Sequence, residues 1–511
     1  MNKFPGFILT IFLLSPFTGL CAVDATAPIA PPLGQAVAGP FQSTAESLRQ
    51  YQCPDWFRDA KFGIYAHWGP YSISGGSGKT DWYSRNMYLK KQTNYAEHLR
   101  KFGPVDKFGY KDLIPLFTGE KFNADEWVKL YVEAGARFAG PVAEHADGFS
   151  MWDSRINSWN AKAMGPKRDV VGEMEQAIRR HGLKFVTTMH HSWKWGWYPT
   201  ADTNTDCSNP AYAGLYGSPR PLSAFAFGKE EHFSPADPRP TEAFIGEWLG
   251  KIEEMVGKYH PDLLYFDTRL KIIPEQFRLE MAAFYYNQAA QRRQPVVLTY
   301  KFTDLPKGDA TLNLERARMP DIDPDPWLTS SSIIRNSWAY TANPEYYSAG
   351  RLVSDLVDIV SKNGCLLLNV APAPDGTIPV EQKERLQSLG AWLRLNGDAI
   401  YGTRPWKVFG EGPTKTLQGG LADLKFNGFS VDDIRFTRSK DGAMLYAIVL
   451  GLPHQPVRIR SLASEPVVSI NLLGSNEKLE WKQEPEALVI VPPSKLPCEH
   501  AIVFAITLKK P

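Results

Sequence analysis

From about residue 55 to residue 400, short β-branched or aromatic runs alternate with longer amphipathic stretches. This alternation limits the possible folds more than any other feature of the chain. The short runs are Phe62–Ala66, Phe138–Val142, Lys184–Thr188, Leu263–Phe266, Val296–Tyr300, Ile333–Asn336 and Cys365–Val370. Helical patterns lie between them, among them Val170–His181, Glu242–Tyr259, Glu275–Gln291, Leu352–Lys362 and Glu381–Asn396. Strands separated by helices form a parallel sheet, because parallel neighbours need a long crossover connection. Seven such strands in one run predict an α/β fold: a closed or nearly closed (β/α)8-like barrel of the TIM type. That architecture takes roughly 250 residues or more, so a chain of 511 leaves room for a second unit.

Beyond about residue 405 the helices stop. Asp433–Arg438 and Ala443–Leu450 flank the turn signal Lys440-Asp441-Gly442, and four more short runs follow to Leu508. Short strands without helices between them read as a small antiparallel β-sandwich. The expected organisation is a barrel over 51–404 and a sandwich over 405–511.

The N-terminus reads as a targeting segment. Met1-Asn2-Lys3 precedes an apolar run from Phe4 to Leu14 and small residues around Cys21-Ala22. These are the parts of a secretory signal peptide, expected over 1–22 with cleavage after Ala22. An Ala/Pro-rich linker over 23–50 comes next. No later run approaches ~18 apolar residues, so no stable membrane span is expected and the destination is extracellular or periplasmic. The four remaining cysteines, Cys53, Cys207, Cys365 and Cys498, lack metal-site spacing and read as free thiols.

Composition excludes some classes. Lys and Arg number 57 against 55 Asp and Glu, a net charge of +2, which argues against a nucleic-acid partner. Aromatics are plentiful, with 15 Trp, 21 Tyr and 27 Phe. Large cores account for most of them, but flat rings also suit stacking on the apolar faces of sugars.

The residues that end the strands point to chemistry. His67-Trp68, Glu144-His145, His190-His191, Asp267, Lys301, Ser337-Trp338 and Asn369 follow successive strands. Strand C-termini are where barrel enzymes build their sites. Asp267 closes the apolar run Leu263-Leu264-Tyr265-Phe266, where it can either attack a sugar's anomeric carbon or cap the next turn. A retaining glycosidase needs a second carboxyl, and Glu144, Asp147, Asp309, Glu315, Asp321, Asp323 and Asp325 are all available. The histidines show neither HExxH nor HxH spacing, so neutral imidazoles donating hydrogen bonds to sugar hydroxyls fit better than metal ligands. Trp193, Trp195 and Trp197 form either a stacking wall or lid above the barrel, or a buried cluster. Gly75-Gly76-Ser77-Gly78-Lys79-Thr80 ends like a phosphate loop but lacks the required spacing.

Seven segments, in order, resemble the retaining α-L-fucosidase family. They are Trp56 to Ile64 leading to His67-Trp68-Gly69; Asp81-Trp82-Tyr83-Ser84-Arg85-Asn86-Met87-Tyr88; Glu144-His145-Ala146-Asp147-Gly148-Phe149; Lys167-Arg168-Asp169; Tyr265-Phe266-Asp267; Asn336-Ser337-Trp338-Ala339-Tyr340; and Asn363-Gly364 through Asn369 to Asp375-Gly376-Thr377-Ile378-Pro379. The resemblance implies an exo-acting α-L-fucosidase acting on fucosylated glycans, with no metal or organic cofactor. It implies Asp267 as nucleophile and Glu315, on the long loop after the fifth strand, as acid/base. His67, Asp81, Trp82, His145, His190, His191, Tyr265 and Lys301 would contact the sugar. There are departures: Ala146 stands where the family has a second His, Lys301 where it often has Arg, and Met189-His190 where it has Tyr-Tyr. Ala146 supports one alternative, a weakened fucose-binding homologue; the others are a metal-dependent barrel hydrolase built on His145, His190 and Asp267 and a retaining glycosidase for a related sugar such as α-L-galactose.

Overall fold

A computed structural model describes residues 37–76, 79–223 and 239–509. The expected signal peptide over 1–22 and the first half of the 23–50 linker lie outside the described residues. Eight strands close a barrel in sequence order: β1 (Phe62–Ala66), β2 (Phe138–Glu144), β3 (Lys184–Met189), β4 (Leu263–Phe266), β5 (Val297–Tyr300), β6 (Thr311–Glu315), β7 (Trp327–Ser332) and β8 (Gly364–Val370). All the neighbours pair in parallel, and β8 returns to β1 through pairs such as Phe62 with Leu366.

The strand expected at Ile333–Asn336 is not one. It follows β7, and two strands stand before it where none was expected. The cause is physical. No helix separates β5 from β6 or β6 from β7, so the alternation that marks a barrel is broken there. The run of β7, Trp-Leu-Thr-Ser-Ser-Ser, is also mostly polar. Glu315 is accordingly the last residue of β6 rather than part of a loop.

The lumen is filled by alternate residues from each strand. Tyr65, Phe138, Val142, Val186, Leu263, Tyr265, Val297, Leu328, Cys365 and Leu367 pack there with Phe57 and Ala60. Each fully buried aliphatic side chain contributes about 1.5–3 kcal/mol. Gly63 is needed because a Cβ there would sit 2.3 Å from the Phe138 ring. Outside the strands, helices over Ala124–Glu133, Val170–Arg180, Glu242–Tyr259, Glu275–Gln291, Ala349–Ser361 and Val380–Asn396 cover the barrel. No helix among the described residues is long and apolar enough to cross a membrane.

The C-terminal unit has a five-stranded antiparallel sheet ordered β13-β16-β11-β10-β9 and a three-stranded one ordered β12-β15-β14. Its strands are β9 (Arg404–Glu411), β10 (Ile434–Arg438), β11 (Met444–Val449), β12 (Val457–Ile459), β13 (Val467–Leu472), β14 (Glu480–Glu484), β15 (Ala487–Val491) and β16 (Ile502–Leu508). Their inner residues, among them Phe436, Ile448's neighbours Ala447 and Val449, Leu488 and Phe504, make a separate core. The segment between β9 and β10 returns to the barrel where helices are missing. Leu421 N–H donates to Glu315 O at 3.0 Å, and Asp423 N–H to Arg316 O at 2.9 Å.

Candidate active site

Strand periodicity builds the mouth. Side chains two residues apart share a face, so each lumen row continues upward into a mouth residue. Leu263 and Tyr265 lead to Asp267, Val297 to Lys301, Tyr65 to His67, Val186 to His190, and Cys365 and Leu367 to Asn369. Strand β2 needs a correction to this rhythm. Its register with β3 shifts between Val142 and Glu144, and a bulge re-aims the residues beyond it. Glu144 turns outward to Lys251 on the Glu242–Tyr259 helix, at 2.7 Å, and His145 joins the mouth.

Lys301 organises the charges. Its Nζ donates to Asp267 Oδ1 at 2.7 Å and to Glu315 Oε2 at 2.8 Å. The two oxygens it touches are therefore no farther apart than the sum of those contacts. Burial works against the Asp267 charge, but Lys301 and His190 outweigh it and hold the carboxyl well below the usual carboxylate range. Burial likewise opposes the Lys301 charge, and Asp267 and Glu315 overcome it, raising the amine well above the ordinary lysine value. Asp267 and Glu315 still reach water, with 17% and 26% of their side-chain surfaces exposed.

Three imidazoles face these acids. The rings of His67, His145 and His190 lie 4.9–5.5 Å apart. Burial brings His67 down to about 3 and His190 down to about 4, and pushes His145 well below its ordinary value, so all three are neutral at pH 7. The tautomer of His67 follows from its partner. Asn369 Nδ2 donates to the Trp338 carbonyl at 2.6 Å and to Ser332 Oγ at 3.0 Å, so Asn369 Oδ1 must face His67. That oxygen accepts from His67 Nδ1 at 2.7 Å. His67 Nε2 is left as an acceptor, which corrects the expectation that this ring donates to a sugar hydroxyl. His145 Nδ1, His190 Nε2 and Asp81 Oδ1 are buried without a hydrogen-bond partner. A polar ligand entering the mouth would supply such atoms with partners. Burial brings the Asp81 carboxyl up to about 6. The three His rings also bring one ligand atom each within 4.8 Å of one another, a geometry that could hold a metal ion.

Aromatic walls complete the mouth. Trp338 is half-buried beside His67, its ring 5.5 Å from the imidazole, and Arg316 stacks over its other side at 4.3 Å. Of the arginines next to Glu315 in sequence, Arg316 is thus engaged by Trp338, and Arg318 pairs with Asp355, Asp358 and Asp423. Tyr265 lies 5.9 Å from the His190 ring, nearly parallel to it. Trp82 is half-buried against Trp193 and Trp197. These last two and Trp195 are buried, so the loop is a packed support rather than an exposed lid. Arg269 Nη1 donates to Trp195 O at 2.8 Å and Arg85 Nη1 to Trp197 O at 2.9 Å, fixing that support from below.

Some expected residues lie elsewhere. His191 is out of the mouth: its ring stacks on Trp248 and its Nε2 bonds Trp248 O at 3.1 Å. Glu144 is buried against Lys251 and Ser150. Asp147 is held by Tyr110 Oη and Phe149 N–H, and burial brings it up to about 7. Asp321, Asp323 and Asp325 sit outside the core on the β6–β7 connection. Of the candidate acids, Glu315 alone shares a hydrogen-bond partner with Asp267. Sequence reasoning passed over Asn369 as a ligand-orienting group and Asp304 as a support. Asp304 Oδ1 accepts from Lys271 N–H at 3.2 Å, tying the turn after Asp267 to the turn after Lys301. The signal for Asn369 was present, since it stands one residue before the end of the eighth strand.

Comparison with known proteins agrees with this arrangement. The profile of the alpha-L-fucosidase family matches residues 33–398, and that of the alpha-L-fucosidase C-terminal domain matches 427–507. The chain is 28% identical to tissue alpha-L-fucosidase of Rattus norvegicus over 475 residues, covering 90% of this chain and 91% of the relative. It is 29% identical to plasma alpha-L-fucosidase of Homo sapiens over 484 residues, covering 91% and 92%. A crystal structure of Thermotoga maritima alpha-fucosidase in complex with fucose superposes with a TM-score of 0.73 at 28% identity, covering 91% of this chain and all of that one. The chain belongs to the α-L-fucosidase family of glycoside hydrolases.

Proposed function

We propose that the protein removes terminal α-L-fucosyl groups from glycans by exo-acting double displacement with net retention, and that Asp267 and Glu315 carry the chemistry. The observation that supports this most is the single amine bonded to both carboxyls. The upper limit it sets on the separation of the two bonded oxygens is compatible with the ~5–5.5 Å of retaining pairs and lies below the ~6.5–9.5 Å that inverting enzymes need to seat a water.

In the first step the Asp267 carboxylate attacks the anomeric carbon. The bond from that carbon to the glycosidic oxygen breaks as Glu315 gives its proton to the oxygen, and the aglycone leaves as an alcohol. In the second step Glu315, now a carboxylate, takes a proton from water, whose oxygen attacks the same carbon and releases Asp267. Lys301 keeps Asp267 ionised and holds the pair in register. His67 Nε2 accepts from a hydroxyl, and His145, His190 and Asp81 supply the remaining polar contacts. Tyr265, Trp82 and Trp338 offer flat apolar surface. We also propose export through the N-terminal segment, on the strength of its charged start and short apolar run.

Replacing Asp267 by Ala tests the assignment. Hydrolysis of an aryl α-L-fucoside should fall by many orders of magnitude. A variant that keeps near wild-type turnover would overturn it.

A further inference from the structure

The leaving group has to lie beside Glu315, because that residue hands it a proton. What stands beside Glu315 is therefore informative. Phe302 directly follows Lys301 and is 40% exposed. Leu421, on the segment that joins the two domains, is 38% exposed, and its N–H bonds the Glu315 carbonyl. The two residues share a boundary: a Cβ on Gly420 would be 3.9 Å from Phe302 Cζ, an ordinary contact.

Both are also backbone outliers. Phe302 has φ +52° and Leu421 φ +60°. The left-handed region is unusual for any residue other than Gly, Asn or Asp, and more so for bulky side chains. Strain of that kind concentrates at ligand-binding sites. Both large apolar side chains keep more than a third of their surface exposed at this boundary. The Leu421 turn is held firmly. Asp423 N–H bonds Arg316 O, and Asp423 Oδ1 accepts from Arg318 Nε at 3.0 Å and Nη2 at 2.8 Å. A rigid apolar ledge next to a general acid suits one occupant, the ring of the leaving group.

We propose that Phe302 and Leu421 form the leaving-group subsite, and that they select aglycones that are themselves pyranose sugars, read through an apolar ring face rather than through charged contacts. The inference rests on the assignment of Glu315 above and adds a role for the C-terminal segment in choosing substrate. Phe302 would supply the stacking surface and Leu421 its edge.

The test uses the full chain and two substrates: α-L-fucosyl fluoride, whose leaving group is one atom, and a fucosyl disaccharide of the linkage that the wild type cleaves best. Phe302→Asn and Leu421→Asn remove the apolar groups while keeping a residue that tolerates the left-handed backbone. The ratio of kcat/KM on the disaccharide to kcat/KM on the fluoride should fall about 5- to 20-fold in each variant. The fluoride rate itself reports that the variants are folded. A ratio equal to wild type in both variants would overturn the subsite. A wild-type protein unable to hydrolyse fucosyl fluoride would instead overturn the hydrolase assignment on which the subsite depends.

Discussion

Two buried charge clusters lie within a few residues of each other along the chain, and they are built on opposite terms. At the mouth, one amine, Lys301, serves two carboxyl groups that still touch water, and three polar atoms there lack partners. At the seam between the domains, Arg318, Arg351, Lys362 and Arg435 answer Asp355, Asp358 and Asp423. There the Asp358 carboxyl is wholly inaccessible and is shared by three cations. At the seam every carboxylate is paired with at least one cation and the pairs hold the domains together, whereas the mouth keeps water contact and unpaired atoms that a ligand can use. The distinction matters because charge and burial alone would mark both clusters as candidate sites.

Substitutions on either side sharpen that contrast. The largest effect belongs to Asp267→Gly, which should lower kcat by about 10⁴-fold or more on an aryl fucoside while leaving thermal unfolding near wild type. Glu315→Gln should cost about 10²–10⁴-fold on sugar leaving groups, and less on leaving groups that need no proton, such as fluoride. At the seam the readout reverses. Asp358→Asn should lose about 3–5 kcal/mol of stability in urea unfolding at pH 7, with kcat per folded molecule retained. Burial opposes the Asp358 charge, but Arg435, Lys362 and Arg318 hold its pKa near 2. Its contribution is thus fully present above the unfolded value of about 3.9 and fades as pH falls through about 2, so the cost of the substitution should shrink in acid.

Lys301→Met falls between these extremes. Asp267 is active as the carboxylate, and Lys301 depresses its pKa. Without the amine, the acid limb of kcat/KM should move up by about 1–3 pH units, with a smaller stability loss than Asp358→Asn because both carboxyls reach water. An acid limb that stays in place would remove Lys301 from the account. The smallest expected effect is that of a chelator. Prolonged EDTA treatment should leave kcat unchanged, and activity lost to EDTA and restored by zinc would assign the His67, His145 and His190 rings to a metal instead.

The barrel was readable where helices separate strands, and misread where they do not. The alternation located six of its eight strands and placed His67, His190, Asp267, Lys301 and Asn369 at strand ends. It failed over 301–336, where strands follow one another without helices and the missing cover comes from the segment around Leu421, more than a hundred residues away. Glu315 was named through the family resemblance, since its local sequence distinguishes it from none of the other acids. The fate of the adjacent histidines was half legible. Adjacent residues on a strand point to opposite faces, but which of His190 and His191 enters the mouth depends on the register of β3. The bulge that sends Glu144 outward and His145 inward has no sequence signature that a single chain reveals.

The account stands on two carboxyls close enough to serve one bond in turn, and the configuration of the first product tests it directly. Proton NMR, recorded during hydrolysis faster than fucose mutarotates, should show α-L-fucose forming first and the β anomer growing in later. If β-L-fucose forms first, the reaction inverts, and Asp267 and Glu315 do not act as nucleophile and acid/base.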